Sequence, residues 1–246
     1  MGCIKNKQLF RAENPFIFFK IKALKNIEKS NDFRDSDILK LIYLCSLIGK
    51  NNILMDTERT ILNFNSLKSK MKLSKTEFYR FYNLLLKNKI VLEDDGKLIL
   101  SSNIAIFGDI KDNCCSRYIK IYTNDVRYLY SSSEPRNHKR LSMLYRLAPH
   151  LHIKHNILCS NIFETEKDSI KPLKIKELSA IFEYNELSFR RLIKYLGTLK
   201  DKDNIPILQV IDGSIVISPK VMYGSYTAYN LDEWIKLNDL FGIDIL

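Results

Sequence analysis

The sequence predicts a mainly α-helical fold with small β wings, an α+β class, built from two copies of one unit. Between Ser66 and Gly108 the residue pattern favours a helix, a turn, a second helix and a two-stranded hairpin. The same order recurs between Lys176 and Gly224. An Asp-Gly pair, which favours the two-residue turn of a β-hairpin, stands at the same place in each copy, at residues 95–96 and 212–213.

The apolar positions of the two copies keep the same spacing, with steps of four, two, five and seven residues. They are Leu67, Met71, Leu73, Phe78 and Leu85 in the first copy, and Leu178, Phe182, Tyr184, Phe189 and Leu196 in the second. In this register Ser74 corresponds to Asn185, and both are good helix N-caps. Arg80 corresponds to Arg191. The pattern indicates an internal duplication, and each copy is typical of a winged helix-turn-helix domain.

The length and composition fit two domains. The chain has 246 residues, of which 46% are hydrophobic, so it can form two cores. We predict a first winged-helix domain with an N-terminal extension at residues 1–110 and a structured linker at 111–133. A second winged-helix domain with a C-terminal helix follows at 134–246. Because the linker is short and structured, we expect the two domains to hold a fixed relation.

Three elements are predicted before the first helix-turn-helix. The apolar and basic run FIFFKIKAL, which follows Pro15, predicts a strand. The segment from Asp35 to Gly49 begins with capping residues and spaces its apolar residues at three and four, which predicts a buried helix. Within it, Cys45 is interpreted as a small core residue. Residues 52–56, NILMD, predict a short strand.

The linker and the second domain contain further elements. RYIKIY, at residues 117–122, alternates as a strand does, and a short helix is predicted from Thr123 to Tyr130. Pro135 starts a helix. Its inward-facing residues are predicted to be Leu141, Leu144, Tyr145 and Leu147. Near the C-terminus Trp234, Leu237 and Phe241 share one helix face, which either packs on the second domain or forms a dimer contact, and packing is the preferred interpretation.

The charge balance narrows the class of partner. Lys and Arg number 39 against 28 Asp and Glu, a formal charge of +11, which suggests a polyanion such as nucleic acid. There is no apolar run of 18 residues and no cleavable leader, so we expect a cytoplasmic protein without a membrane partner. Five cysteines without framework spacing fit reduced thiols. Gly2 and Cys3 resemble an acylation signal, but Asn6 replaces the required Ser or Thr, so lipidation is not expected.

The exposed face of each second helix carries side-chain types that are suited to contacts in DNA grooves. Arg pairs with guanine, Asn with adenine, and Thr or Tyr with phosphates or thymine methyls. The predicted DNA contacts of the first copy are Lys75, Thr76, Tyr79, Arg80, Asn83 and Lys87, and those of the second are Ser188, Arg190, Arg191 and Lys194. A third cluster at the start of the Pro135 helix comprises Arg136, Lys139 and Arg140. The alternative is a merely solvated basic face.

Two further features qualify the DNA-binding prediction. The first wing carries Glu93, Asp94 and Asp95, which phosphate would repel, so this wing is expected to point away from the DNA backbone. Tyr79 and Asn83 of the first copy become Arg190 and Lys194 in the second. The two copies are therefore expected to recognise two unlike half-sites.

Catalytic and metal chemistry find little support in the sequence. No phosphate-binding GxxxxGK[ST] loop, HExxH motif, nucleophile elbow or two-metal carboxylate set is present. His150, His152, His155 and Cys159 lie close in sequence, but their spacing matches no recognised zinc site. We therefore predict a protein without enzymatic activity, metal or cofactor.

Part of the chain resembles a known group of proteins. The run PRNHKRLSMLYRLAPHLHIKHNILCSNIFETEKDSIKPLKIKEL and the closing ISPKVMYG resemble tandem winged-helix proteins of Firmicute phages and plasmids, of the replication-initiator and regulator type. The similarity covers approximately residues 66–226, and its most distinctive words are NILCSN and SPKVMYG. Neither word is a catalytic signature. The resemblance implies DNA binding and a mobile-element origin.

These features together predict a sequence-specific double-stranded DNA-binding protein of a phage or plasmid. Its role is replication initiation or transcriptional control, and the sequence does not choose between them. A homodimer and host replication or transcription proteins are further candidate partners. The alternative function is a phage-encoded inhibitor or adaptor whose winged helices bind a host protein.

Overall fold

The computed structural model describes residues 15–108, 110, 117–224, 236–237 and 239–241. The α-helices described there are α1 (Ile21–Lys29), α2 (Asp35–Cys45), α3 (Phe64–Met71), α4 (Lys75–Lys87), α5 (Thr123–Ser132), α6 (His138–Arg146), α7 (Ile175–Ile181) and α8 (Glu186–Thr198). Short 3₁₀ turns cover Lys50–Asn52, Pro135–Asn137, Ala148–His150 and Lys167–Ser169. The strands are β1 (Phe16–Lys20), β2 (Val91–Asp94), β3 (Lys97–Leu100), β4 (Ala105–Phe107), β5 (Tyr118–Tyr122), β6 (Leu208–Ile211), β7 (Ser214–Ile217) and β8 (Met222–Tyr223). The predictions for Gly2, Cys3 and Trp234 concern positions outside the described residues.

A four-stranded antiparallel sheet joins the two halves of the chain, in the order β4-β1-β5-β8. In its middle β1 lies beside β5, with Phe16 opposite Tyr122 and Lys20 opposite Tyr118. Two separate hairpins, β2–β3 and β6–β7, lie where the sequence predicts the wings. The fold is therefore mixed α+β with small sheets. The sequence predicts a mainly helical fold in which the wings supply most strands, and the four-stranded sheet adds to them.

Several predicted elements differ in extent from those observed. β1 ends at Lys20, and the following residues form α1 because Ile21, Leu24 and Ile27 recur at three-residue spacing and are buried on one face. The strand predicted at residues 52–56 forms only isolated bridges, such as Ile53 with Ile99. The buried helix α2, the strand β5 and the helix α5 are confirmed, and Cys45 is fully buried.

The chain repeats one order of elements. We call residues 16–107 the first unit and residues 118–223 the second unit. Each contains a strand, two helices, the helix pair of a helix-turn-helix, a hairpin and a closing strand. β5 and α5, which the sequence suggests are a linker, stand in the second unit where β1 and α1 stand in the first. Both hairpins turn at Asp-Gly with positive φ at both residues, as a tight two-residue hairpin turn requires.

A buried asparagine makes the same three hydrogen bonds in each unit, an arrangement that we call the asparagine clamp. Asn52 and Asn156 are both buried and both have positive φ, at 58° and 51°. Each side-chain amide donates to two carbonyl groups of the hairpin and closing strand, and each side-chain oxygen accepts one N–H. The partners are Leu100 O at 3.2 Å, Ala105 O at 2.7 Å and Phe107 N at 3.2 Å for Asn52, and Ile217 O at 3.1 Å, Met222 O at 2.7 Å and Gly224 N at 3.1 Å for Asn156.

The two units contact each other through equivalent elements. The Ile21 amide donates to the Arg117 carbonyl at 3.0 Å, and the equivalent Thr123 amide donates to the Pro15 carbonyl at 2.9 Å. α2 packs against α6, its counterpart in the second unit. Most buried apolar residues of both units belong to one cluster, so the interior is continuous between the units.

The described part of the tail packs beside the central sheet. Leu237 and Phe241 are buried, and they share an apolar cluster with Tyr122, Val216 and Tyr223. This contact is the packing that the sequence favours over a dimer contact. No helix in the described residues has the length and apolar character needed to cross a membrane.

Candidate nucleic-acid interface

The helix-turn-helix of each unit is closed by a side-chain cap at the start of its second helix. In the first unit the Ser74 hydroxyl accepts the N–H of Glu77 at 3.3 Å. In the second unit the Asn185 side-chain oxygen accepts the N–H groups of Leu187 at 3.0 Å and Ser188 at 3.4 Å. Both predicted caps are confirmed. They satisfy amides that have no partner within the helix and fix where each exposed face begins.

The buried stripes of α4 and α8 determine which residues face outward. Phe78, Phe81, Tyr82 and Leu85 are buried in α4, and Phe189, Leu192, Ile193 and Leu196 are buried in α8. Among the predicted contacts of the first unit, the exposed ones are Lys75, Thr76, Tyr79, Asn83 and Lys87. Two of these already have neighbours, since Lys87 forms an ion pair with Asp32 at 2.9 Å and Lys68 lies over the Tyr79 ring at 5.2 Å.

Arg80 lies in a different environment from the free, exposed position that helical periodicity predicts. Its side chain is about one quarter exposed, and Nη2 donates to Asp37 Oδ1 at 2.5 Å. Arg80 Nε also donates to Glu77 Oε2 at 3.0 Å, and Lys40 Nζ lies 2.8 Å from Asp37 and in contact with Glu77. These four side chains form what we call the ion network. Asp37 is fully buried on α2, and it requires cationic partners that local sequence patterns do not reveal.

The ion network keeps its two carboxylates charged. Hydrogen bonds from Arg80 are the main cause that lowers the pKa of Glu77 to about 2, with Lys40 adding to the effect. Burial alone would raise the pKa of Asp37, but hydrogen bonds from Arg80 and Lys40 outweigh it and lower that pKa. The same carboxylates raise the pKa of Arg80. The network therefore holds α4 to α2 and uses the positive charge of Arg80 internally.

The second unit has exposed cations on the equivalent helix, α8. Ser188, Arg190, Arg191 and Lys194 are all exposed on α8. Arg190 donates to Glu186 at 3.0 Å, one turn away. In the described part of the chain neither Arg191 nor Lys194 has an ion-pair partner. Their charge is available to an external anion.

The third predicted cluster has mixed surroundings. Arg136 pairs with Glu134, and Lys139 lies 3.3 Å from Asp35 of the first unit. Arg140 is exposed, and its guanidinium lies 3.5 Å from the centre of the Tyr195 ring of α8. Of the cluster, Arg140 is thus the residue that extends the cationic surface of α8.

The histidine group has structural surroundings. His152 is buried, and its Nδ1 accepts the N–H groups of Lys154 and His155, both at 3.2 Å. Its Nε2 lies 2.9 Å from the Glu164 carbonyl oxygen, to which it can donate. Burial lowers the pKa of His150. Across the described residues no group of three His, Cys, Asp or Glu side chains is placed to hold a metal ion.

No protein-family model, curated protein or solved structure matches this chain. We therefore infer function from the geometry and charge of the two helix-turn-helix units.

Proposed function

We propose that the protein is a sequence-specific double-stranded DNA-binding protein of a phage or plasmid that acts in replication initiation or transcriptional control. The observation that carries this proposal is the surface of α8. The helix has a capped N-terminus and a buried apolar stripe, and its opposite face carries Arg191 and Lys194, which have no ion-pair partner among the described residues. A helix of this kind fits the major groove, where arginine pairs with guanine and lysine with phosphate or guanine.

Two winged-helix units related by duplication account for the rest of the architecture. The repeated order of elements, the paired asparagine clamps and the reciprocal contacts between β1 and β5 support this origin. Because the units are fixed to one another by a shared sheet, one chain would present two recognition helices at a set separation. Their exposed residues differ, so the DNA site is expected to contain two unlike half-sites.

DNA selection at several salt concentrations tests the proposal. Wild-type protein is expected to enrich one motif from a random duplex pool, and its affinity should fall steeply as salt rises. Arg191→Ala with Lys194→Ala should weaken binding to that motif by about 10-fold or more and reduce the salt slope. A matched control is Lys167→Ala with Lys171→Ala, which removes the same charge from exposed loop positions of the second unit.

Two results would reject the proposal. One is the absence of any enriched motif, and the other is an equal loss of affinity in the α8 variant and in the loop control. The second result would mean that the net charge, and not the α8 surface, attracts DNA.

The first wing favours a second candidate function, the binding of a host protein. Leu92 is about half exposed, and Glu93, Asp94 and Asp95 are exposed around it on the hairpin. DNA phosphates would repel this surface, whereas a basic protein surface would fit it. Under this candidate, Leu92→Ser with Asp94→Lys would abolish partner binding, and the α8 substitutions would leave it unchanged.

A further inference from the structure

One exposed apolar residue lies on the cationic surface of α8. Leu187 is 56% exposed and is the second residue of the helix, with its N–H held by the Asn185 side chain at 3.0 Å. A single exposed leucine is ordinary on a protein surface. The position of this one is informative, because Leu187, Arg191 and Lys194 follow one another at helical spacing and share one face.

The chemistry of that face matches the edge of DNA bases. The first residues of a recognition helix contact base edges in the major groove. The apolar group that a base pair presents in the major groove is the 5-methyl of thymine. Contact between a leucine and this methyl removes apolar surface from water, which favours binding. The equivalent position of the first unit holds Thr76, a smaller side chain that also carries a methyl group.

We propose that Leu187 is a specificity-determining residue that recognises the 5-methyl group of a thymine next to the base or phosphate bound by Arg191. This inference rests on the proposed DNA-binding function. The backbone of Leu187 is fixed by the Asn185 cap, so the backbone would lose little conformational freedom when the side chain enters the groove. The sequence patterns used to find charged contacts miss this residue, because they discount isolated apolar positions.

Deoxyuridine substitution tests the inference, since it removes the thymine methyl and keeps every hydrogen-bonding group. Each thymine of the selected motif is replaced singly, and the affinity of each duplex is measured. For wild-type protein one position, or two adjacent positions, should lose about 3- to 5-fold in affinity. Leu187→Ala should bind the thymine and deoxyuridine duplexes equally at that position.

The matched control is Val210→Ala, which shortens an apolar side chain that is 54% exposed on the β6–β7 hairpin. This variant should retain the full thymine preference. Unfolding midpoints are measured for all three proteins, and equal midpoints would show that the substitutions leave the fold intact.

The outcomes separate the two proposals. If the wild type enriches a motif and every deoxyuridine duplex binds as well as the thymine duplex, the role of Leu187 is rejected and DNA recognition stands. The same holds if the thymine preference persists in Leu187→Ala. If no motif is enriched, the proposed function itself fails, and the role of Leu187 with it.

Discussion

In the first unit the middle of α4 is tied to α2 by ionic contacts, whereas in the second unit the same part of α8 faces solvent. Of the four positions of the ion network, three hold different side chains in the two units and the fourth is arginine in both. The pairs, first unit then second, are Asp37 and Arg140, Lys40 and Met143, Glu77 and Ser188, and Arg80 and Arg191. The second unit therefore has neither carboxylate nor the buried lysine at these positions, and the two arginines found there, Arg140 and Arg191, are exposed.

At the turns before α4 and α8 the charge difference is reversed, with the cations in the first unit and the acids in the second. Lys72 and Lys75 of the first unit correspond to Glu183 and Glu186 of the second. Lys72 and Lys75 thus place positive charge at the start of α4, whereas Arg191 and Lys194 place it in the middle of α8. One backbone arrangement, held by the same asparagine clamp, presents two different charge patterns, which is why two unlike half-sites are expected.

The largest expected effect tests whether the ion network is structural. Asp37→Ala should destabilise the protein by about 3–5 kcal/mol, because it leaves the buried Lys40 ammonium without one carboxylate. Arg140→Ala, at the equivalent exposed position, should cost about 1 kcal/mol or less. Chemical denaturation measures both values.

A compensating variant sharpens this test. Asp37→Ala combined with Lys40→Met, which introduces the residue found in the second unit, should recover most of the lost stability. Equal costs for Asp37→Ala and Arg140→Ala would show that the two units do not differ in the way described.

A smaller effect tests whether the asparagine clamp stabilises both units equally. Asn52→Ala and Asn156→Ala should each destabilise the protein by about 2–4 kcal/mol, since each leaves buried backbone groups unpaired and puts alanine at positive φ. The two costs should agree within about 1 kcal/mol, which is the usual context variation. Asn103→Ala, an exposed asparagine of the first unit, is the control and should be near neutral. A large cost at one clamp alone would contradict their equivalence.

The smallest predicted effect concerns Asp125, a buried carboxyl at a position where the first unit has no carboxyl group. Asp125 is 2% exposed, and Ala23 stands at the equivalent place in the first unit. Burial, with a further contribution from Asp201, raises the pKa of Asp125 to about 7. The folded state therefore holds this proton more tightly than the unfolded state, so stability falls as pH rises from about 4 to about 7 and then levels off.

Asp125→Asn removes this titration. At pH 8 the variant should be more stable than the wild type by about 1–3 kcal/mol, and near pH 4 the two should be equal. The carboxylates of the ion network act with the opposite sign. The lowered pKa of Glu77 gives stability that is present above about pH 4.5 and is lost as pH falls toward 2. A wild type and variant that differ equally at pH 4 and pH 8 would contradict the raised pKa of Asp125.

The sequence by itself determined the helices, caps and hairpin turns that depend on residues close together in the chain. Helical periodicity and the capping residues Ser74 and Asn185 placed both helix-turn-helix pairs, and the Asp-Gly turns placed both hairpins. The exposed cations of α8 followed from the same periodicity. These features depend on residues within a few positions of one another, so a linear pattern contains the information that fixes them.

Only the tertiary structure decided the central sheet, the partners of Arg80 and the asparagine clamps. Each joins residues that are far apart in sequence, such as Phe16 with Tyr122, Arg80 with Asp37 and Asn156 with Met222. An arginine on the polar face of a helix has the same local pattern whether it faces solvent or a buried carboxylate. The outcome depends on which helix packs beside it, because a buried charge is stable only where the fold supplies an opposite one.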